Sequence, residues 1–329
     1  MTFQALLQGF FVDRLVRQRN ASGHTIAAYR DTFRLLLRFA TGRLHKPPSR
    51  LSIEDLDASF LSEFLDYLET ERGNCARTRN ARLATIHAFF HYVALTEPAH
   101  ALLCQRALAI PSKRFARGPI EYLAPEEIEA LIATPNTTTW IGRRDRALLL
   151  MAVQTGLRVS ELISLRRGDV VLGKGAHVRC QGKGRKTRCT PLRRDVARVI
   201  DAWLREQPTA DPQQPIYPSS RGGPLSRDVV ERIVEKHIVM ARKTCASLNG
   251  KNITPHTLRH TAAMELLRCG VDRSVIAIWL GHESMETTQI YLHADMRLKE
   301  EALARTTSSR ARPTRYRPKD DVLAFLEGL

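Results

Sequence analysis

TPHTLRHTAAMELL (residues 254–267) and WLGHESMETTQIYLH (residues 279–293) are the two parts of the stretch around which the chain is organised. Together they place His256, Arg259, His282 and Tyr291 in one short segment. A guanidinium group offers fixed donors that match phosphate oxygens, and an imidazole can donate to the same oxygens or move a proton. Tyrosine can act as a covalent nucleophile. The stretch therefore contains the groups needed to bind a phosphodiester and attack it with a phenol.

The first part predicts a helix whose N-terminus faces the candidate site. Thr254 is suited to cap this helix, and Pro255 is suited to its first position. His256 and Arg259 are three residues apart, so they should share one face near the N-terminus. The N-terminal end of a helix carries unpaired N–H groups and partial positive charge, which suits a phosphate.

The second part predicts two further helices. Gly270 should end the first helix, and residues 272–280 should form a short second one. Gly281 allows a sharp turn that would point His282 into the same pocket. A third helix, beginning at 284 or 285, would then carry Tyr291.

Charge and composition favour a soluble protein that binds a polyanion. The 329 residues include 51 Lys and Arg against 34 Asp and Glu, a formal charge of +17, and the length indicates two domains. A basic protein with no such partner is the alternative. No apolar run approaches the roughly 20 residues of a membrane span. The six cysteines are scattered without a C-x-x-C pair, which indicates a reducing, cytoplasmic setting.

Residues 1–108 predict a small helical domain with four apolar stripes at helical spacing. Ser52 and Asp55 form a candidate capping box at the start of the third helix. Residues 109–121, AIPSKRFARGPIE, mix proline, glycine and basic residues and predict a linker. The polar faces of the helical domain are rich in arginine, which predicts contacts to phosphates along a duplex, with solvated surface as the alternative for each residue. These arginines are Arg14, Arg17, Arg19, Arg30, Arg34, Arg38, Arg77, Arg79 and Arg82.

Residues 122–305 predict a second domain, with helices and a small sheet. The strongly apolar segment 143–154 indicates a central, buried helix. It ends in TGLRVSEL (155–162), where Arg158 begins another helix and Glu161, three residues later, can orient or pair with it. A lone arginine in this place would usually lie on the surface.

From residue 169 the helical spacing of apolar residues stops. Three short strand-like segments follow, and they predict a three-stranded antiparallel sheet. QGKGRKTRCTPL (181–192) contains the glycine-flanked turn between the second and third strands. Lys183 in this turn could carry its amine to a scissile bond, and Lys186 is the competing candidate. A solvated lysine is the alternative for either residue.

In these segments the chain resembles the tyrosine recombinase (phage integrase) family. The resemblance covers residues 1 to about 300 and is strongest in TGLRVSEL, QGKGRKTRCTPL, PHTLRHTAA and LGHESMETTQIYLH, which occur in the family's order and at its separations. It implies a mainly α fold with a small antiparallel β-sheet. A SAM-like core-binding domain at 1–108 and an α+β catalytic domain at 122–305 would form a C-shaped clamp around duplex DNA. Residues 306–329 would be a C-terminal tail, either loosely ordered or packed on a neighbouring protomer.

The resemblance assigns roles to three basic side chains. Arg158 and Arg259 match the two arginines that clamp the scissile phosphate. Lys183 matches the hairpin lysine that protonates the leaving 5′ oxygen. Glu161 matches a supporting acidic position.

The remaining assignments come from the stretch quoted first. His256 matches the family's proton-handling histidine, and His282 a position that donates to the phosphate. Tyr291 matches the nucleophile, and His260 a packing position. The chain shows no departure from the six core residues of the family.

The implied function is site-specific DNA recombination through a 3′-phosphotyrosyl intermediate, in the service of a mobile genetic element. Because the covalent link conserves the bond energy, the reaction would need no cofactor, no metal and no ATP. The expected partners are double-stranded DNA and further copies in a homotetramer on synapsed DNA, or related recombinases. Integration, transposition and replicon resolution all remain open.

Two alternatives come from other classes of protein. His256 and His260 are four apart on a helix, a spacing used by zinc sites, with His282 or His293 as a third ligand. Against this reading, Arg259 would place a cation beside the metal. The second alternative is a DNA-binding protein that has lost its chemistry, against which all six candidate residues are present.

Overall fold

The computed structural model of the chain describes residues 1–116, 120–182, 187–207 and 211–281. The chain divides into two compact units, Met1–Arg117 and Gly118–Leu329. Each unit has its own hydrophobic core. Within the described ranges, no helix is long and apolar enough to cross a membrane.

The first unit is helical throughout, and its core is rich in aromatic side chains. The Phe33 and Phe89 rings lie 5.2 Å apart edge to face, and Phe10 packs against both. Phe64 is fully buried in the same core, where its ring contacts those of Phe39 and Tyr67. The helices are α1 (Phe3–Gly9), which continues as a π-helix over Phe10–Gln18, α2 (Gly23–Leu44), α3 (Ala58–Thr70), α4 (Ala76–Thr96) and α5 (Ala101–Leu108). The predicted apolar stripes are confirmed as the faces that form this core.

Helix α5 was not predicted, and α3 begins later than the sequence indicated. The buried positions of α5 are Cys104 and Ala107, which are small, so no stripe of large apolar residues marks the helix. Ser52 and Asp55 form the capping pair that was expected, but they close a single 3₁₀ turn. The side chain of Asp57 caps α3 instead.

One arginine of the predicted DNA-facing set lies inside the first unit. Arg79 is 5% exposed, and its Nη1 donates to the Pro111 carbonyl oxygen at 3.0 Å and to Asn80 Oδ1 at 3.2 Å. Position alone did not distinguish it from Arg77, which is exposed on the same helix. The prediction of a phosphate contact is therefore wrong for Arg79, which ties α4 to the chain beyond α5.

The second unit is built around α7, as the apolar run predicted. Ala147, Leu148, Leu149 and Met151 of this helix have no exposed surface. The helices are α6 (Pro125–Ala133), α7 (Trp140–Thr155), α8 (Val159–Ser164), α9 (Arg194–Arg205), α10 (Arg227–Ala241), α11 (Pro255–Arg268) and α12 (Arg273–Leu280). Helices α6, α8, α9 and α10 contribute their apolar faces to the same core, whereas α12 and most of α11 form a second, smaller apolar cluster.

The sheet of the second unit has three antiparallel strands in the order β1-β2-β3. They are β1 (Val170–Val171), β2 (His177–Gln181) and β3 (Thr187–Pro191). The register pairs residue 180 with 188 and residue 181 with 187. The predicted fold class, mainly helical with a small antiparallel sheet, is confirmed.

Candidate active site

Helix α11 begins as its sequence predicted. The Thr254 hydroxyl accepts from the Thr257 backbone N–H at 3.3 Å, and Pro255 is the first helical residue. The helix then turns Arg259 into the protein, where it is 2% exposed. The His256 and His260 rings lie edge to face with their centroids 4.4 Å apart. The helix therefore brings two imidazole rings into contact, and Arg259 lies between these two histidines in the sequence.

Arg259 joins the ends of two other helices to α11. Its Nη1 donates to the Gly156 carbonyl oxygen and its Nη2 to the Leu280 carbonyl oxygen, both at 2.6 Å. Gly156 ends α7 with a φ of +63°, and a Cβ atom there would lie 2.6 Å from Leu280 Cδ2 and 3.0 Å from Ala262 Cβ. Glycine is required at this position by both its conformation and the close approach.

Arg158 lies two residues beyond that glycine, at the N-cap of α8. The Glu161 carboxylate accepts from the Arg158 backbone N–H at 2.7 Å and from its Nη1 at 3.0 Å, which confirms the predicted pairing. The Nη2 of Arg158 donates to the Gly281 carbonyl oxygen at 3.2 Å. Its side chain is 35% exposed, whereas that of Glu161 is 4% exposed. The buried carboxylate of Glu161 thus holds the guanidinium of Arg158, which still reaches the surface.

Burial, followed by nearby cationic groups, lowers the pKa of both histidines. His256 is exposed at the surface, but partial desolvation, followed by the charges of Arg259 and Arg158, lowers its pKa below the usual 6.5. Burial, followed by His256 and Arg259, lowers the pKa of His260 to about 4. A neutral imidazole at position 256 can accept a proton at neutral pH.

The low pKa of His260 predicts that stability falls in acid. The unfolded chain protonates this residue near pH 6.5 and the folded chain only near pH 4, so the unfolded state binds more protons between these values. We therefore expect the free energy of unfolding to rise with pH from about 4 to about 6.5 and then to level off. Urea denaturation across this pH range should show that the free energy of unfolding depends less on pH in His260→Gln than in the wild type. An equally steep slope in that variant and in the control His24→Gln, an exposed histidine of the first unit, would contradict the assignment.

Three of the six predicted site residues lie outside the described residues: Lys183, His282 and Tyr291. The competing Lys186 also lies there, as does the predicted third helix of the opening stretch. The structure brings Arg158 and Arg259 together around the end of α12, with His256 on the same helix as Arg259. The described chain ends at Gly281, directly before His282 in the sequence.

Arg188 is the residue of this site that sequence reasoning missed. It lies on β3, and both of its terminal nitrogens donate to the Glu161 carboxylate, at 3.0 and 2.8 Å. Strand alternation was the available signal, since it places residue 188 on the buried face with Cys180.

The zinc alternative required three histidines: His256, His260 and either His282 or His293. Among the residues that the structure describes, no group of three or more His, Cys, Asp or Glu side chains is placed to hold a metal ion. The third ligands of that reading, His282 and His293, lie outside the described part of the chain.

Two family profiles match the chain. The Phage integrase family matches residues 121–297, and the Phage integrase N-terminal SAM-like domain matches residues 9–96. The chain belongs to the phage integrase family of tyrosine recombinases. The family identified from the sequence is thereby confirmed.

Relatives of this recombinase span nearly its whole length. A Sinorhizobium fredii protein assigned to the integrase/recombinases, y4rC, is 53% identical over 324 residues, which cover 98% of this chain and 97% of the relative. The tyrosine recombinase XerC of Pelobacter propionicus is 35% identical over 86% of this chain and 88% of its own. These relatives and the family profile identify the enzyme as a tyrosine-type site-specific DNA recombinase.

Solved recombinases share the fold. The XerH site-specific recombinase bound to a palindromic difH substrate aligns with a TM-score of 0.70 and 23% identity, covering 87% of this chain and 81% of that one. The Tn1549 transposon integrase, in complex with a circular intermediate DNA, aligns with a TM-score of 0.68 and 16% identity, covering 92% and 99%. The predicted recombinase-type architecture is confirmed.

Proposed function

We propose that this recombinase cuts a DNA strand by attack of Tyr291 on one phosphodiester, which Arg158 and Arg259 bind through its non-bridging oxygens. Lys183 supplies a proton to the leaving 5′ oxygen, His256 handles the proton of the phenol, and His282 donates to the phosphate. The reaction needs no metal and no cofactor.

The observation that carries this proposal is the convergence of two arginines from distant parts of the sequence. Arg259 and Arg158 donate to consecutive carbonyl oxygens, those of Leu280 and Gly281, at 2.6 and 3.2 Å. Two guanidinium groups held at one short segment form a cationic region suited to one phosphate. That segment leads directly into LGHESMETTQIYLH, which carries the remaining donor and the nucleophile.

The proposed step balances without a further reactant. The oxygen of Tyr291 forms a bond to phosphorus while the bond from phosphorus to the 5′ oxygen breaks. The phenol gives its proton to His256, and the 5′ oxygen takes a proton from Lys183. The products are a 3′-phosphotyrosine link and a 5′ hydroxyl, and a 5′ hydroxyl from another strand reverses the step to join strands.

The cationic groups matter because a phenol is a weak nucleophile at neutral pH, with an ordinary pKa of about 10. Arginine donors neutralise the charge that builds on the non-bridging oxygens, and each contributes on the order of 10²–10³ in rate. Protonation of the leaving oxygen contributes roughly 10²–10⁴. Desolvation, followed by the charges of Arg259 and Arg158, lowers the pKa of His256, which supports its role as the proton acceptor.

We further propose that the enzyme works on synapsed DNA as a homotetramer, or with related recombinases, and serves a mobile genetic element. Strand exchange between two duplexes involves four cleavage points, which a tetramer would supply. The likeness to integrases, including the Tn1549 transposon integrase, supports a mobile element. The proposed location is the cytoplasm, on the bacterial nucleoid when the enzyme is bound to DNA.

Covalent trapping on nicked duplexes tests the proposed chemistry. The duplexes should come from the ends of the element that carries the gene, with a nick placed so that the released fragment diffuses away. We expect an adduct that survives denaturation, forms equally in EDTA, and maps to the peptide containing Tyr291. An adduct on another residue, or one abolished by EDTA, would overturn the mechanism. DNA binding without any adduct would favour a binding module.

A further inference from the structure

The strand β3 carries a buried arginine beneath the proposed phosphate site. Arg188 lies opposite Cys180 of β2, so both side chains project from the same face of the sheet. Cys180 is 5% exposed, and the Arg188 side chain is 12% exposed. The guanidinium of Arg188 therefore points into the second unit, where a charge requires partners.

Those partners begin with the carboxylate that also holds Arg158. Arg188 Nη1 donates to Glu161 Oε1 at 3.0 Å and Nη2 to Oε2 at 2.8 Å. Arg158 donates to the same two oxygens, through Nη1 to Oε1 and through its backbone N–H to Oε2. Each carboxylate oxygen of Glu161 thus accepts from both arginines, so the position of one guanidinium constrains the other.

The charge of Glu161 depends on this arrangement. Burial alone would raise the pKa of the carboxyl, but the hydrogen bonds from Arg188, with the contribution of Arg158, hold it below the usual value of 4.5. Removing Arg188 would leave a 4%-exposed carboxylate with Arg158 as its remaining arginine within the described part of the chain. A buried ionised group that loses a partner shifts its protonation or draws in water, and either response would move Arg158.

Arg188 also reaches the last turn of α12. Its Nε donates to the Trp279 carbonyl oxygen at 3.1 Å. Consecutive carbonyl oxygens at the end of this helix therefore accept from three arginines: Trp279 from Arg188, Leu280 from Arg259, and Gly281 from Arg158. Gly281 has a φ of +65°, and a Cβ atom there would lie 2.9 Å from Arg188 Nη1.

We propose that Arg188 is a positioning residue of the recombination reaction, which aligns Arg158 through Glu161 and fixes the end of α12 beside both phosphate-binding arginines. This inference rests on the proposed function of Arg158 and Arg259. Arg188 itself is not assigned to the phosphate, because both of its terminal nitrogens pair with the charged Glu161 carboxylate, whereas those of Arg259 donate to neutral carbonyl oxygens.

The position requires arginine rather than lysine. The planar fork of a guanidinium makes two parallel hydrogen bonds to a carboxylate, and its Nε remains for a third acceptor. An ammonium group is a single point of charge on a flexible stem and cannot hold Glu161 and Trp279 in one fixed geometry. Arg188→Lys should therefore preserve charge but lose alignment.

The test compares two nicked substrates that differ only at the scissile phosphate. One carries the natural phosphodiester, and the other a methylphosphonate, in which a methyl group replaces one non-bridging oxygen and removes the negative charge. Cationic donors stabilise a neutral phosphorus centre less than a charged one, so misalignment of Arg158 should slow the reaction less on the methylphosphonate. Single-turnover rates of adduct formation are measured for the wild type, Arg188→Met and Arg188→Lys.

On the phosphodiester we expect Arg188→Met to slow adduct formation by about 10- to 100-fold, less than the loss from removing a direct donor. On the methylphosphonate, the factor by which Arg188→Met slows adduct formation should be at least about threefold smaller. Arg188→Lys should restore little of the lost rate. Neither variant should change DNA affinity much. Arg179→Met is the matched control. Arg179 is exposed on the opposite face of β2, donates to the Gly168 carbonyl oxygen at 2.9 Å, and should leave both rates unchanged.

A rate within about twofold of the wild type in Arg188→Met would overturn the proposal, as would an equal loss on both substrates, which signals a general structural defect. If Arg188→Met does not fold, Glu161→Gln, which keeps the shape of the carboxylate, should show the same dependence on substrate. Absence of any adduct with the wild-type enzyme would instead overturn the function assigned to Tyr291, and the role of Arg188 with it.

Discussion

Replacing Tyr291 with phenylalanine is expected to abolish covalent attachment to DNA while leaving DNA binding intact. Phenylalanine keeps the ring and removes only the oxygen that forms the bond to phosphorus. Position 291 then offers no atom that can form the covalent link to DNA. We expect the rate of adduct formation to fall by on the order of 10⁴-fold or more, as when other covalent nucleophiles are removed. Denaturing gel analysis of nicked duplexes, with a binding assay in parallel, measures both quantities.

Tyr217→Phe is a matched control for this loss. Tyr217 is buried in the core of the second unit, and its hydroxyl donates to the Ala147 carbonyl oxygen at 3.4 Å. Removing that oxygen should reduce stability slightly and leave the rate of adduct formation unchanged. Adduct formation by Tyr291→Phe at a rate comparable to that of the wild type would show that the nucleophile is another residue. Equal losses in both variants would point to unfolding rather than chemistry.

The elements that position the site could be predicted because they depend on local rules. Thr254 and Pro255 begin α11 through capping and a fixed φ, and Gly281 ends α12 in the left-handed region. The uninterrupted apolar run of α7 identified the centre of the core. Each of these features is determined by residues a few positions apart, so a single sequence contains the necessary information.

Contacts between distant residues could not be predicted in the same way. Arg79 and Arg77 occupy one helix two residues apart, yet only the packing of the chain at Pro111 decides that Arg79 is buried. The hydrogen bonds that Arg188 and Arg158 both donate to Glu161 likewise depend on how β3 packs against α8. A sequence indicates that a charge is present, but its partner depends on tertiary structure.

Arg259→Lys is expected to lower the rate of adduct formation by on the order of 10²–10³-fold with little change in DNA affinity. Lysine keeps the positive charge, so attraction to the DNA backbone persists. It cannot, however, reproduce the bridge from Arg259 to the Gly156 and Leu280 carbonyl oxygens, both at 2.6 Å. The end of α7 and the end of α12 would then lose their common donor, and the cation would no longer stand in a fixed place beside Arg158.

A lower rate in Arg259→Lys has two possible causes, a less stable fold and a weaker action on the phosphate. The control variant Arg242→Lys separates them. Arg242 also bridges two backbone carbonyl oxygens, those of Leu248 and Lys251, at 3.3 and 2.8 Å. Both Arg→Lys changes should therefore lower the free energy of unfolding by a similar amount, about 1–3 kcal/mol, because each leaves a carbonyl without its donor. Only Arg259→Lys should also slow adduct formation by two orders of magnitude or more. If Arg242→Lys slows the reaction equally at matched stability, Arg259 supports the fold and does not act on the phosphate.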